Sequence, residues 1–287
     1  MNLPYQPVKN IIITDEELRS LTDAIFNRHR IDFTGYEQQS LRRRIIRAMG
    51  VFEMENIHEL WVRMLTDQSF IYSFMDEISV GLTAMFRDPI LWRKIKSLLN
   101  EETIANTHLS IWHAGCSTGE EIYTMNIVAR ESFNKQQIRT WATDISRQAI
   151  DIARRGEYHQ LKLNEYERNY KEYNLHGSLK WYYQRHNELL VMDKELRRHV
   201  TFDYHNLITD SFSYRFDVIF CRNVMIYFDN DTKLKLFDKF YNALNPGGLL
   251  IIGFYDAVMP LIDDRKFGIL DMDAKIFIKL EEKGAVD

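Results

Sequence analysis

Apolar residues recur at helical spacing through the first eighty positions, with no alternating stretch that would mark a strand. Thr14-Asp15-Glu16-Glu17 opens a first helix with its acids in the first turn, where they complement the helix dipole. Asp32-Phe-Thr-Gly35 breaks the pattern, and a second helix is predicted from Tyr36 to Met49, closed by Gly50. Two shorter helices follow, over Ile57–Leu65 and Phe70–Ile78. Residues 1–80 are therefore expected to form a small all-helical domain, and 81–287 a second one. Asp88-Pro89 starts another helix, because aspartate caps and proline fits a first turn whose N–H groups have no partner. Arg87 is left on the connection just before it.

From about Ser110 the pattern changes to short apolar runs alternating with helical stretches. Strands are predicted at Leu109–His113, Arg139–Thr143, Val200–Tyr204, Phe216–Cys221 and Leu249–Phe254, with a final pair near Phe267–Leu270 and Ala274–Leu280. Asn245-Pro-Gly-Gly248 is a turn before the fifth. Such alternation implies an α/β, Rossmann-like fold: a mostly parallel sheet with helices on both faces. One interval departs from it. Within Tyr166–Arg198, two runs flank His186-Asn-Glu188, namely Trp181–Arg185 and Leu189–Met192. They predict an inserted β-hairpin subdomain at about 168–198.

Composition narrows the class without naming a chemistry. A hydrophobic fraction of 45% and a charged fraction of 27% are those of a globular protein, and a net charge of −4 gives no reason to expect nucleic acid. No apolar run approaches the ~20 residues of a membrane span, and the Met1-Asn-Leu-Pro start is not that of a signal peptide. Two cysteines, Cys116 and Cys221, supply neither a disulfide framework nor zinc spacing. A reduced, cytoplasmic, monomeric protein without a metal is expected.

Two stretches carry candidate chemistry. In Ser110-Ile-Trp-His-Ala-Gly-Cys-Ser-Thr-Gly-Glu-Glu121 a strand runs through a glycine loop into a helix, the opening of a nucleotide-binding unit. In Phe216-Asp-Val-Ile-Phe-Cys-Arg-Asn-Val-Met-Ile-Tyr-Phe-Asp229 a strand runs into a polar pair and an aromatic cluster. Both point to the crevice beyond the carboxyl ends of the strands. The glycine loop is not G-x-G-x-x-G and holds nothing basic; Glu120 and Glu121 follow it, and they would repel a pyrophosphate. Asp144, ending the second strand, stands where an acid accepts hydrogen bonds from ribose hydroxyls. An adenosine with a cationic, phosphate-free tail suits these acids, and S-adenosylmethionine is such a molecule. For Glu120 or Glu121 singly, helix-dipole compensation is an adequate alternative.

Ala114–Glu121, Ala142-Thr-Asp-Ile-Ser146, Phe216–Asp229 and Asn245–Gly248 together resemble the motif set of the CheR-type chemotaxis-receptor methyltransferases. Thr83-Ala-Met-Phe-Arg-Asp-Pro89 resembles the segment that joins that family's helical and catalytic domains, and the inserted hairpin sits where the family carries a small β-subdomain. The resemblance implies methyl transfer from S-adenosylmethionine, with S-adenosylhomocysteine as product, to glutamates on the helical region of a methyl-accepting receptor. Matched residue by residue, it implies cofactor contacts from Thr83, Arg87, Glu121, Asp144, Asn206, Leu207, Arg222 and Asn223. Arg87 and Tyr227 would lie near the transferring methyl. Arg222 as a helix-capping ion pair and Tyr227 as a core-edge aromatic are the plainer readings. Departures are Gly81, where the family has asparagine, and Gly253-Phe-Tyr-Asp256, where it has Gly-His-Ser-Glu. The inserted hairpin lacks the glycine-rich loop associated with docking to a receptor's C-terminal peptide, so no such tether is expected. A catalytically altered cofactor-binding module, or a methyltransferase for another carboxylate, stays open beside this reading.

One further feature concerns a partner. From Arg28 to Met49 six arginines face two acids, so the segment is cationic in an anionic chain. Projected at about 100° per residue, Leu41, Ile45, Ala48 and Met49 share a face, Arg43, Arg44 and Arg47 fall opposite, and Arg42 lies at the edge and snorkels. That arc is expected to dock an acidic receptor helix; a merely solvated face is the bland alternative.

Overall fold

The computed structural model describes residues 11–79, 83–100, 108–132, 137–256 and 258–281. Two compact units divide the chain: residues 1–80 with Tyr227–Thr232, and residues 81–226 with 233–287.

The first unit holds α1 (Asp15–His29), α2 (Gln38–Val51), α3 (Ile57–Thr66) and α4 (Phe70–Ile78). Thr14 and Glu17 form a reciprocal capping box on α1, which stops on Arg30 in the left-handed region. α2 begins two residues later than its periodicity predicts because Glu37 is its cap, accepting from the N–H groups of Gln39 and Ser40. α1 packs on α3 and α2 on α4, with Leu21, Ile25, Ile45, Ala48, Met49, Leu60, Phe74 and Ile78 at the centre. Tyr227–Thr232 is stitched into this unit. The Glu37 N–H donates to the Tyr227 carbonyl at 2.9 Å, and that of Asp229 to Gly35 at 3.1 Å. Gly35 is required there by space, since a Cβ would stand 2.4 Å from the Thr232 hydroxyl.

The second unit opens with α5 (Pro89–Asn100), then β1 (His108–Ala114), α6 (Glu120–Arg130), β2 (Gln137–Asp144) and α7 (Arg147–Arg155). After β3 (Glu157–His159) come α8 (Leu163–Tyr173), β4 (Tyr183–His186), β5 (Leu189–Met192), β6 (Val200–Tyr204) and β7 (Phe216–Cys221). The chain finishes with α9 (Asn230–Ala243), which starts in the first unit, β8 (Leu244–Ile252), β9 (Phe267–Asp271) and β10 (Ile276–Lys279). The main sheet runs β6-β2-β1-β7-β8-β10-β9; β10 is antiparallel to both neighbours and the other pairs are parallel. Strand order reverses between β1 and β7, and this is where an open α/β sheet leaves a crevice. Trp112, Phe216 and Phe240 fill one side of the core, and Trp92 stacks on Phe220 at 5.7 Å.

Two sequence expectations are corrected here. The inserted hairpin is a three-stranded antiparallel sheet, β3-β5-β4, because Glu157–His159 adds a strand from outside the predicted interval. Three residues are too few to show a period of two. Asn245–Gly248 lies within the bounds of β8, where the ladder to β7 jumps from Phe216↔Leu244 to Val218↔Leu249 and Gly247 takes φ +71°. The turn is thus an interruption inside a strand.

Both ends of α6 anchor the small sheet and α8. Glu120 is fully buried and accepts from Lys162 at 2.7 Å, Tyr166 at 2.8 Å and Thr118 at 2.6 Å. Glu131, at the other end, sits badly with the helix dipole. Hydroxyls of Tyr170, Tyr182 and Tyr173 (2.6, 3.0 and 3.1 Å), the Asn174 amide (3.0 Å) and Lys96 (3.5 Å) compensate it. Burial, then the carboxylate, pushes the pKa of all three tyrosines up, so they remain donors.

Candidate functional site

The glycine loop leaves β1 with the N–H groups of Gly115 and Cys116 both on the Thr143 carbonyl, at 2.8 and 2.9 Å. Gly115 has φ +79°, and a Cβ on it would stand 2.5 Å from Val224; Gly119 has φ +91° and faces Ala153 as closely, at 2.7 Å. Only glycine meets both demands at once. Asp144 ends β2 and accepts the N–H of Ser117 at 2.8 Å and of Ser146 at 2.9 Å. One carboxylate therefore fixes the loop and caps the approach to α7.

Glu121, on the first turn of α6, faces the opposite way from Glu120. It accepts from His113 Nδ1 at 2.8 Å and from Arg222 Nη1 at 2.8 Å. Arg222 Nη2 reaches Asp88 at 2.5 Å, and the Arg222 side chain is 3% exposed. His113 lies flat on Phe220, ring centres 4.6 Å apart. Burial pushes the Glu121 pKa up, but the imidazole hydrogen bond and the guanidinium outweigh it and hold the carboxyl below its ordinary range. One arginine thus lies between two carboxylates, Asp88 and Glu121, which leaves an excess of negative charge. Arg222 is an ion-pair residue, as its plainer reading has it, yet its pairing reaches across two elements. Cys116 and Cys221 are buried, and burial pushes both thiols well up, so neither is a nucleophile at neutral pH.

The other expected residues are placed as follows. Asn206 and Leu207 are buried just after β6; the Asn206 side chain accepts from Ile208 N–H at 3.0 Å, and the His205 N–H donates to the Asp144 carbonyl at 3.0 Å. Asn223 follows Arg222 with φ 60°. Thr83 is half-buried. Arg87 stands between Phe86 (φ 52°) and Asp88 (φ 58°), two left-handed non-glycine residues, the kind of strain that collects at working sites. Its carbonyl is held by Trp92 Nε1 at 2.9 Å. Tyr227 belongs to the first unit, where the Arg44 guanidinium lies 3.5 Å from its ring centre. Gly81 falls outside the described residues.

Arg44 is the clearest correction. It is 8% exposed, donates to the Ile78 carbonyl and covers the Tyr227 ring, while Arg43 and Arg47 are exposed. Leu41, Arg44, Ile45 and Ala48 follow the i, i+3, i+4, i+7 spacing, so position 44 belongs to the buried stripe whatever its charge. Arg42 pairs with Asp15. His113, Asp88 and Asp256 are not among the expected site residues. In sequence Asp88 reads as a helix cap, Asp256 as part of an altered run and His113 as a lone imidazole ending an apolar strand, yet the Asp88 carboxylate pairs with Arg222.

The donor set is acidic, and the loop that would cradle a phosphate has no cation. Glu120, buried and engaged, drops out of it; Glu121 and Asp144 stay. These residues fit S-adenosylmethionine, a phosphate-free cationic nucleoside. Among the described residues no group of three or more His, Cys, Asp or Glu could hold a metal ion, and no helix is long and apolar enough to cross a membrane.

Two family models match the chain. Residues 16–79 match the CheR methyltransferase all-alpha domain, and residues 81–276 the CheR methyltransferase SAM binding domain. A Pseudomonas putida protein provisionally named methyltransferase Cher3 is 33% identical over 93% of this chain and 97% of its own length. Chemotaxis protein methyltransferases of Borreliella burgdorferi (87% of this chain, 90% of that protein) and Vibrio cholerae (94% and 99%) are each 29% identical.

Proposed function

The chain belongs to the CheR methyltransferase family, an S-adenosylmethionine-dependent one, and from that premise we propose that it methylates glutamate side chains of a methyl-accepting chemotaxis-type receptor. The observation that carries the reading is the acidic crevice at the β1/β7 reversal: Asp144 and the Glu121–Arg222–Asp88 array in place of phosphate-binding groups. Asp144 accepts the ribose hydroxyls, and the excess negative charge around Glu121 favours a cationic tail. Thr83, Asn206, Leu207, Arg222 and Asn223 complete the cofactor contacts.

When bound, S-adenosylmethionine supplies a methyl group on a positively charged sulfur. A glutamate side chain, with an ordinary pKa of about 4.3, is already ionised, so the chain needs no general base. Its task is alignment, and holding reactants in line can supply most of the rate. Arg87 offers a planar fork to the acceptor carboxylate and Tyr227 aims one oxygen of it. Exposed Arg43 and Arg47 on α2 present cations to an anionic receptor helix. The encounter takes place in the cytoplasm, without a C-terminal-peptide tether.

Calorimetry with S-adenosylhomocysteine tests the cofactor half. Asp144→Ala should weaken binding about tenfold, the worth of one or two hydrogen bonds to a carboxylate; unchanged affinity would mean the ligand is misplaced. Transfer of a labelled methyl to receptor-bearing membranes, recovered as methanol in base, tests the acceptor half. No base-labile label on receptor would remove the glutamate assignment.

A further inference from the structure

The fully buried carboxylate of Asp256 is not used by the reading above, although it joins the two turns beside Arg222. Its Oδ2 accepts the N–H of Asn223 at 2.8 Å and of Gly253 at 2.8 Å, and its Oδ1 accepts that of Ile226 at 3.1 Å. Asn223 and Ile226 lie on the turn after β7; Gly253 directly follows β8. Their approach is close: a Cβ on Gly253 would stand 2.6 Å from the Asn223 nitrogen and 2.7 Å from Asp256 Oδ2. Asn223 is also left-handed, a conformation a non-glycine residue keeps only when its surroundings impose it. Burial pushes the Asp256 carboxyl up, against the pull of the three N–H groups and of Arg222. A buried acid is costly, and here its return is three main-chain donors that would otherwise have no acceptor.

We infer that Asp256 is a positioning residue of the methyl-transfer site, which holds the main chain from Asn223 to Ile226 and thereby aims Asn223 at the cofactor. The inference rests on the cofactor role proposed for Asn223. It gives a purpose to the one acid in Gly253-Phe-Tyr-Asp256, a run that otherwise stands as a departure from the family pattern. Asparagine at 256 keeps the volume, but its amide nitrogen can only face, and not accept from, at least one of the three N–H groups.

The test is a cycle of dissociation constants for S-adenosylhomocysteine on the full chain, with folding followed by circular dichroism. Asn223→Ala should weaken binding about tenfold, and Asp256→Asn about fivefold. Two residues that act through one another are not additive. Asp256→Asn should therefore cost less than about twofold more in the Asn223→Ala background, while keeping its full effect in the Asp144→Ala background. A folded Asp256→Asn protein that binds as wild type overturns the inference, and so does an equal loss with and without Asn223. An unaffected Asn223→Ala protein instead overturns the cofactor role of Asn223, a different pattern. If Asp256→Asn does not fold, Asp256→Ser is read in the same cycle. Failure of both to fold overturns the inference, because the carboxylate would then serve the whole fold.

Discussion

Glu121 is under opposing influences: burial favours its protonated form, while His113 and Arg222 favour the charged one and prevail. Its folded pKa is lowered, so it contributes stability that is present above the unfolded value of about 4.3 and is lost as pH falls through the folded value. Wild type should lose stability more steeply than Glu121→Gln as pH falls below about 4.5, read from urea midpoints. Parallel acid limbs would mean that the pair does not couple to folding. Arg44 is a second buried ion, with an aromatic face and a carbonyl in place of an acid. Arg44→Ala should destabilise the protein by about 2–4 kcal/mol, the combined range for a desolvated cation–π contact and a charged hydrogen bond. Arg44→Lys should recover less than half, since an ammonium lacks the planar fork. A loss below about 0.5 kcal/mol for Ala would leave the arginine a bystander.

At the scale of the element, α2 uses its two sides differently. The inner side is core, Arg44 included; the outer side presents Arg43 and Arg47 to solvent. Charge on such a face mainly speeds encounter, and at ~0.15 M salt it is screened over about 8 Å. Arg43→Ala with Arg47→Ala should slow receptor methylation at low salt about three- to tenfold and flatten its salt dependence, with cofactor affinity unchanged. Arg44 is left out of this variant, because replacing it would test stability. Wild-type rate and salt response in the double variant would make the face solvated surface only. The same two-sidedness holds for α6, where Glu120 and Glu131 serve the packing of α8 and the small sheet while Glu121 faces the crevice.

For the whole molecule, a ligand that binds only the folded state stabilises it by mass action, about 2.7 kcal/mol at a hundredfold excess over Kd. S-adenosylhomocysteine should raise the melting temperature in step with its concentration, and NAD at the same concentrations should not, because the crevice has acids where a pyrophosphate needs donors. An equal shift by NAD would reverse the ligand assignment. The order of helices and strands apart from β3, the parallel alternation and the acidic character of the crevice were legible in the chain, because each rests on local periodicity or on a short motif beside a strand end. Asp144 and Glu121 could be singled out for the same reason. The array around Glu121 could not. His113, Arg222 and Asp88 lie far apart in sequence, and only the adjacency of β1, β7 and the start of α5 brings His113 and Arg222 onto the Glu121 carboxylate and Asp88 onto the other side of Arg222. On α2 the helical projection set Arg44 opposite the apolar face, whereas it lies in the buried stripe with Leu41, Ile45 and Ala48. What keeps the charge there is an aromatic face contributed by Tyr227 and a carbonyl contributed by Ile78. A sequence pattern records which way a side chain faces along its own element; whether a charge can stay there depends on what a distant segment places opposite it, and that the tertiary structure alone decided.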